Sequence, residues 1–215
     1  METPRKFPKQ ARSAGTVRAI VEAFAHIFTR VGPSGVNTNL VAKKAGVSIG
    51  SLYQYFPNKQ ALLIAAIKHL AEERLRRLAQ IRDTLDGKSL ETVLDEMIDV
   101  AVDLRVRDQA FDRVVIENLS HFRVLETLRE VQEDFIVVLS ECMARARMPG
   151  TPEEHRETSR FLYQAAFSVT LWIGYFEGPD GDPERQSATF GACCWATCAH
   201  ERSLEREHGF AAHTS

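Results

Sequence analysis

Long uncharged apolar runs are missing from this sequence of 215 residues. A membrane-spanning helix needs about 20 consecutive apolar residues, and no segment approaches that length. The first 15 residues contain Pro, Lys and Arg but lack the apolar stretch of a signal peptide. We therefore expect a cytoplasmic protein with no membrane partner, in which the four cysteines are mostly reduced.

Catalytic motifs are also missing. The sequence has no Gly-rich phosphate loop, no nucleophile elbow around a serine and no His-Glu-x-x-His pair. The seven histidines are scattered. Paired acids such as Glu72-Glu73 and Glu153-Glu154 fall on predicted helix surfaces or helix starts, where solvation or the helix dipole explains them. We predict no enzymatic activity and no cofactor.

Acidic residues are scarce in the first 60 residues, which hold nine Lys or Arg and only two acids, a net charge of +7. The remainder of the chain carries a net charge of −9. A basic N-terminal segment on an acidic body indicates a polyanion partner for that segment alone. A chance cluster or a solubilising tail would have the same composition, so charge alone does not decide.

Alternating strand patterns are absent, and nearly every segment has the apolar spacing of an amphipathic helix. Thr151, Pro152 and Glu154 have the order of a helix start with a capping box. The predicted fold is therefore all-α. Helices are predicted over residues 17–31, 37–45, 49–55, 59–81, 90–105, 110–119, 125–146 and 151–176, with a last one from 183.

Two short predicted helices joined at Gly46 lie inside the basic segment. This arrangement is that of a helix-turn-helix, in which the second helix lies in the major groove of DNA. Asn37 and Ser48 are predicted to cap the two helices, since their short polar side chains accept hydrogen bonds from the first-turn amides. Gly46 allows a positive φ in the turn at little cost.

Residues 41–59, with the sequence VAKKAGVSIGSLYQYFPNK, closely resemble the signature of the TetR family. The shared features are Ala-Gly-Val-Ser, a Gly-Ser-Leu-Tyr core, a Tyr-Phe pair and a following Lys, and the specific resemblance covers about residues 17–63. It implies a three-helix DNA-binding head over 16–61. The Pro, Lys and Arg content of residues 1–15 predicts a flexible basic arm before this head, and the resemblance implies a helical ligand-binding and dimerisation domain at 62–215 after it.

The resemblance also implies which residues contact DNA. Ile49 would meet a thymine methyl, Gly50 would allow a close approach of the backbone, and Gln54 would read adenine through two hydrogen bonds. Of Tyr53 and Tyr55, which would reach phosphates, one is alternatively a packing aromatic. The predicted DNA-binding set is Thr38, Ser48, Ile49, Gly50, Ser51, Tyr53, Gln54, Tyr55 and Lys59.

The predicted helices within 161–176 and 190–199 are apolar on more than one face, so they must be buried. The resemblance implies that these last two long helices form the homodimer interface, and a monomer that hides both faces is the alternative. A dimer would present its recognition helices to successive major grooves about 34–36 Å apart. Double-stranded operator DNA with a pseudo-palindromic sequence is therefore the predicted partner.

A small-molecule pocket is predicted in the body, where apolar residues are mixed with a few polar ones. Aromatic residues at helical spacing usually belong to the core, so most of the candidates are expected to be core residues. The mixture indicates an apolar or aromatic effector, and a cationic one if Glu117 lines the cavity. The candidates are Met97, Phe111, Glu117, His121, Phe122, Phe135, Tyr163, Phe167, Trp172 and Tyr175.

The predicted function is a ligand-responsive transcriptional regulator, in the form of a repressor that leaves its operator when the effector binds. One alternative is thiol, redox or metal sensing through Cys193, Cys194 and Cys198, with His200 nearby. Packing is favoured for these cysteines because Cys is often a small buried hydrophobe. Cysteines four residues apart also cannot close a disulfide without distorting the helix. The other alternative is a small-molecule-binding module without DNA activity.

Overall fold

A computed structural model of the chain is helical wherever it describes regular secondary structure. It describes residues 11–85, 88, 92, 96, 108–119 and 122–176, and the side chains of all of these except 11, 12 and 169–176. The helices are α1 (Ala11–Gly35), α2 (Thr38–Ala45), α3 (Ile49–Tyr55), α4 (Lys59–Arg82), α5 (residues 108–117), α6 (Leu125–Arg145) and α7 (Pro152–Phe176). The all-α prediction is confirmed. No helix in these ranges is long and apolar enough to cross a membrane.

Several predicted segments lie outside the described residues. In the predicted helix at 90–105 only Thr92 and Glu96 are described, and both are helical. The helix predicted from 183, and with it the 190–199 part of the predicted dimer interface, lies outside the described residues. So do the first ten residues of the predicted basic arm.

The break predicted at Gly32 and Pro33 is present as a kink inside α1. Gly32 is non-helical, with a φ of +67° and a ψ of −177°. Only glycine visits positive φ without a steric cost, so the residue type matches the position. The amide of the buried Val36 then donates to the Gly32 carbonyl at 3.1 Å. The kink therefore ends the long regular part of α1 and prepares the turn into α2.

The chain forms two compact units. Unit 1 consists of Met1–Leu75 and Ala110–Asp134, and unit 2 consists of Arg76–Gln109 and Phe135–Ser215. The boundary predicted at residue 61, between a DNA-binding and a ligand-binding domain, stays a prediction. By packing, the N-terminal unit also includes most of α4 and the segment that holds α5.

Phe28 is fully buried in unit 1 and stands in an aromatic cluster. Its ring centroid lies 5.4 Å from that of Phe24, 5.8 Å from that of Phe111 and 6.1 Å from that of Phe122. These separations are those of favourable aromatic pairs. The cluster therefore ties the N-terminal helix to residues about ninety positions further along the chain. Buried aliphatic residues complete the core of this unit: Ile20, Val21, Val36, Val41, Leu62, Leu63, Ala66 and Val115.

An ion pair also joins α4 to α5 within unit 1. Arg74 Nη2 lies 3.1 Å from Asp112 Oδ2, and the two side chains are only 9% and 18% exposed. Removing one partner from such a buried pair typically costs about 3–5 kcal/mol, because the other charge is left uncompensated. Lys68 and Glu130 make a second pair at 2.8 Å, but it is exposed and contributes little.

Unit 2 has its own core around Leu85 and Cys142. Arg82 Nη1 contacts Glu141 Oε2 at 2.6 Å, and Arg145 Nη1 contacts Asp83 Oδ1 at 2.9 Å. These pairs link the end of α4 to α6 beside the buried thiol.

The capping box predicted at the start of α7 is confirmed. The Thr151 amide donates to Glu154 Oε2 at 2.6 Å, and the Glu154 amide donates to Thr151 Oγ1 at 3.3 Å. The bond from the Thr151 amide holds the pKa of the Glu154 carboxyl below its usual value.

Replacing Phe28 by alanine should lower the free energy of unfolding by about 3–5 kcal/mol, because it empties the centre of the aromatic cluster. The measurement is urea unfolding followed by circular dichroism at one fixed protein concentration. The control is Leu125→Ala, since Leu125 is 55% exposed and its truncation should change stability by no more than about 0.5 kcal/mol. Equal losses in the two variants would contradict a core role for Phe28.

Candidate nucleic-acid interface

α2 begins and ends at the residues that the sequence indicated. Asn37 Oδ1 accepts a hydrogen bond from the Leu40 amide at 2.9 Å, so the predicted cap is confirmed. At the other end Gly46 has a φ of +68° and a ψ of +28°, in the left-handed region. The Val47 amide closes the turn on the Ala42 carbonyl at 3.0 Å. This geometry fixes the angle at which the chain enters α3.

α3 is also capped as predicted. Ser48 Oγ accepts a hydrogen bond from the Ser51 amide at 3.0 Å and lies 2.8 Å from the Ser51 hydroxyl. A serine in this position satisfies one of the amide groups that a helix leaves unpaired at its start. The hydroxyls of these two predicted contact residues are therefore already engaged with each other.

One side of α3 is buried and the other is open. Leu52 and, directly after the helix, Phe56 are buried, at 0% and 1% exposure. Ile49 and Tyr53 are exposed at 38% and 46%, and Gln54 is also exposed. Three of the residues predicted to meet DNA thus lie on the solvent side of the helix that would enter the groove.

A hydrogen bond joins the two helices across the turn. Thr38 Oγ1 lies 3.0 Å from the Tyr53 hydroxyl, and either group can donate. Both residues belong to the predicted DNA-binding set, but their mutual contact was not predicted. The bond orients the two hydroxyls before any ligand arrives, which reduces the entropy lost on binding.

Among the described residues, nothing gives Gly50 a steric reason to be glycine. A Cβ built on it would meet only Ser48 Oγ, at 3.9 Å, which is ordinary van der Waals contact. Gly50 also lies inside α3, where glycine is less favourable than alanine by about 1 kcal/mol. The exposed backbone at this position is therefore open to close approach by a ligand.

The remaining predicted contact residues lie at the end of α3 and the start of α4. Tyr55 and Lys59 are partly exposed. Asn58 caps α4, because its Oδ1 accepts a hydrogen bond from the Ala61 amide at 2.9 Å. The side chain of Tyr55 is half-buried and that of Tyr53 is exposed, so Tyr55 is the tyrosine more compatible with a packing role.

No acidic residue occurs between Glu22 and Glu72. This stretch includes the whole helix-turn-helix and the beginning of α4. Its cations are Arg30, Lys43, Lys44, Lys59 and Lys68. This stretch attracts phosphate groups through its cations and has no acidic side chain to repel them, so it favours a polyanion as partner.

The predicted ligand-binding residues divide between the two units. Phe111 is buried in unit 1, where it packs on Phe28 as an ordinary core residue does. Glu117 pairs with Arg113 at 2.9 Å, so its charge is already balanced. Met97 and His121 lie outside the described residues, and so do the side chains of Trp172 and Tyr175.

Three predicted ligand residues form an aromatic ladder in unit 2. The ring centroid of Tyr163 lies 5.6 Å from that of Phe135 and 6.3 Å from that of Phe167. All three side chains are partly exposed. Partly exposed, parallel or tilted rings are a suitable surface for an aromatic group.

The described residues hold no group of three His, Cys, Asp or Glu that is placed to bind a metal ion. Cys193, Cys194, Cys198 and His200 lie outside them. Cys142 is buried, and burial raises the pKa of its thiol to about 11. A thiol in this state stays protonated at neutral pH and is a poor nucleophile.

Residues 20–66 match the family profile described as "Bacterial regulatory proteins, tetR family". The HTH-type transcriptional regulator PksA of Bacillus subtilis is 32% identical over 93 residues, which are 42% of this chain and 45% of that protein. The chain thus spans less than half the length of this curated relative. The comparison confirms the resemblance found in the helix-turn-helix motif.

Solved structures support the fold over a longer stretch. A protein from Mesorhizobium loti assigned to the TetR family of transcriptional regulators superposes with a TM-score of 0.74 at 19% identity, over 88% of this chain and 98% of its own. SmeT, the repressor of the multidrug efflux pump SmeDEF of Stenotrophomonas maltophilia, gives a TM-score of 0.61 at 18% identity, over 85% and 91%. At these identities the likeness establishes the fold.

Cys142 should not react with a thiol reagent in the folded protein. The variant C193S/C194S/C198S isolates it, and we expect negligible reaction with DTNB at pH 8 until denaturant is added, when one thiol per chain should appear. The reason is that the buried thiol is both inaccessible and protonated at this pH. Reaction of the folded variant at the rate of a free thiol would contradict the described environment of Cys142.

Proposed function

We propose that this chain is a DNA-binding transcriptional regulator rather than an enzyme. It is TetR-like in residues 20–66 and in its helical fold. The observation that carries the proposal is the exposed side of α3. Gln54 and Tyr53 project from it, Gly50 leaves its backbone open, and the surrounding sequence is basic. These are the parts that direct readout of a major groove requires.

The capped turn supports the same proposal. DNA binding by a helix-turn-helix needs a recognition helix held at a fixed angle. The caps at Asn37 and Ser48 and the left-handed Gly46 hold this angle from within the protein. The alternative of a ligand-binding module without DNA activity leaves the absence of acids between Glu22 and Glu72 unexplained.

We further propose that the chain acts as a homodimeric repressor whose affinity for a pseudo-palindromic operator falls when an effector binds. The aromatic ladder of Phe135, Tyr163 and Phe167 supports an apolar or aromatic effector. Effector and operator would then weaken each other's binding by the same factor, since coupling between two sites is reciprocal. The dimer contact is proposed for α7 and the helix predicted from residue 183.

Removing the Tyr53 hydroxyl or the Gln54 amide should weaken operator binding in different ways. A duplex selected from random sequence by the full-length protein serves as the operator, and binding is followed by fluorescence anisotropy at several salt concentrations. Gln54→Ala should cost about 1–3 kcal/mol and relax the preference at one base pair. Tyr53→Phe should weaken binding to all duplexes alike, because it removes a phosphate contact.

The matched control is Tyr163→Phe, which removes the same hydroxyl in unit 2 and should leave DNA binding unchanged in the absence of effector. Failure of the full-length protein to select any preferred duplex would sink the proposed function. Selection of a duplex whose affinity is the same for wild type and Gln54→Ala would instead reject Gln54 as the base-reading residue.

Gly50→Ala should separate folding from DNA binding. Stability should stay the same or rise by up to about 1 kcal/mol, because alanine is the better helix former and has space. Affinity for the selected duplex should fall, because the methyl group keeps α3 from its close approach. Gly15→Ala, in the exposed part of α1 where a Cβ would meet no described atom within 4 Å, is the control and should bind normally. A Gly50→Ala variant that binds the duplex at full affinity would show that α3 makes no close backbone approach.

A further inference from the structure

A groove with an apolar floor and a basic rim lies between α1 and α2 in unit 1. Its volume is about 570 Å³, and it is open to solvent. Ile27, Val31 and Leu40 form the apolar part. Val31 and Leu40 are large hydrophobic residues, yet they are 50% and 45% exposed. Adjacent exposed apolar side chains of this kind mark interaction surfaces.

The rim of this groove, which we call the α1/α2 groove, is positive. Arg30, Lys43 and Lys44 line it together with His26, and no carboxylate does. Among the described residues none of these three cations has an ion-pair partner. A ligand that covers the apolar floor would therefore gain from negative charges at its edges.

The two helices present the same pattern to the groove. Ile27, Arg30 and Val31 follow one another on α1 at three- and four-residue spacing, and Leu40, Lys43 and Lys44 do so on α2. Residues at these spacings lie along one side of a helix. The groove is thus an elongated seam between two helices. An enclosed small-molecule site would instead bury most of its ligand.

The groove lies away from the proposed DNA contacts on α2. Counting 3.6 residues per turn, Leu40 and Lys44 lie about 200° and 240° around α2 from Thr38. Thr38 contacts Tyr53 of α3. DNA phosphates also gain nothing from an apolar floor, since they are recognised by charge and hydrogen bonds. The geometry therefore does not favour DNA as the occupant.

We propose that the α1/α2 groove docks an acidic amphipathic helix of a partner protein. The helix places apolar side chains at three- and four-residue spacing on Ile27, Val31 and Leu40. Its Asp and Glu residues flank that stripe and pair with Arg30, Lys43 and Lys44. This is helix-in-groove recognition with the charges supplied by the groove. The proposal does not depend on the identity of the operator or the effector.

The test is a phage-displayed library of random 16-residue peptides, selected on the full-length protein. We expect enriched sequences with apolar residues at helical spacing and acids beside them. Synthetic peptides of these sequences should bind Leu40→Ser roughly tenfold more weakly than wild type, as for the loss of a central apolar anchor. Lys44→Glu should weaken them as well, because it reverses a charge on the rim.

Two control variants separate the groove from general charge and hydrophobicity. Leu125→Ser removes another exposed leucine, and Arg76→Glu reverses another exposed cation. Both should bind the selected peptides as wild type does. Peptides that bind wild type and Leu40→Ser equally, or a library that yields no enrichment, would overturn the proposal.

The other occupants give distinct results. One alternative is that the rim contacts DNA phosphate. In that case Lys43→Gln and Lys44→Gln should each reduce the slope of log affinity against log salt for duplex binding by about one, and no peptide should depend on Leu40. That result would show the proposal to be wrong. If Leu40→Ser abolishes association of dimers into larger species in sedimentation velocity, and no peptide depends on Leu40, a second copy occupies the groove. That result would equally overturn it.

Discussion

The packing of Phe28 is the constraint on which the N-terminal unit depends. Three helices of the length of α1, α2 and α3 bury little apolar surface on their own, and a domain this small is marginal. Phe28 extends the core by contacting Phe111 and Phe122, both far away in sequence. The Arg74–Asp112 pair fixes α4 against α5 in the same unit. The core beneath the helix-turn-helix is therefore completed by residues well beyond it in the sequence.

Signals that act over a few residues made much of the fold predictable from the sequence. The caps at Asn37, Ser48 and Thr151 each use a side chain that reaches an amide three residues away. Gly46 and Gly32 stand where the backbone turns to positive φ. Such features need no knowledge of the rest of the molecule, so composition and spacing reveal them. The exposed side of α3, by contrast, was implied by the resemblance of residues 41–59 to the TetR signature.

Contacts between distant residues were not predictable in this way. The bond between Thr38 and Tyr53 spans the turn, and nothing in either residue's neighbours indicates its partner. The membership of 110–134 in unit 1 depends on which apolar stripes meet, and an amphipathic pattern shows only that a stripe exists. The α1/α2 groove was unpredictable for the same reason, because two separate helices each supply half of its lining. Phe111 was a ligand candidate in a set of which most members were expected to be core residues, and its ring packs on Phe28 in unit 1.

Two sides of α2 are under different requirements. On one side Val41 and Ala42 are buried and Thr38 meets Tyr53, so substitutions there disturb the angle of α3. On the other side Leu40, Lys43 and Lys44 are exposed and lie outside the buried core. A helix of eight residues is too short to be stable alone, and its burial against α1 supplies that stability. The exposed side therefore contributes less to the core than the buried side does. An exposed leucine beside two lysines that have no ion-pair partner among the described residues is a cost to solubility with little gain in stability, unless something covers it.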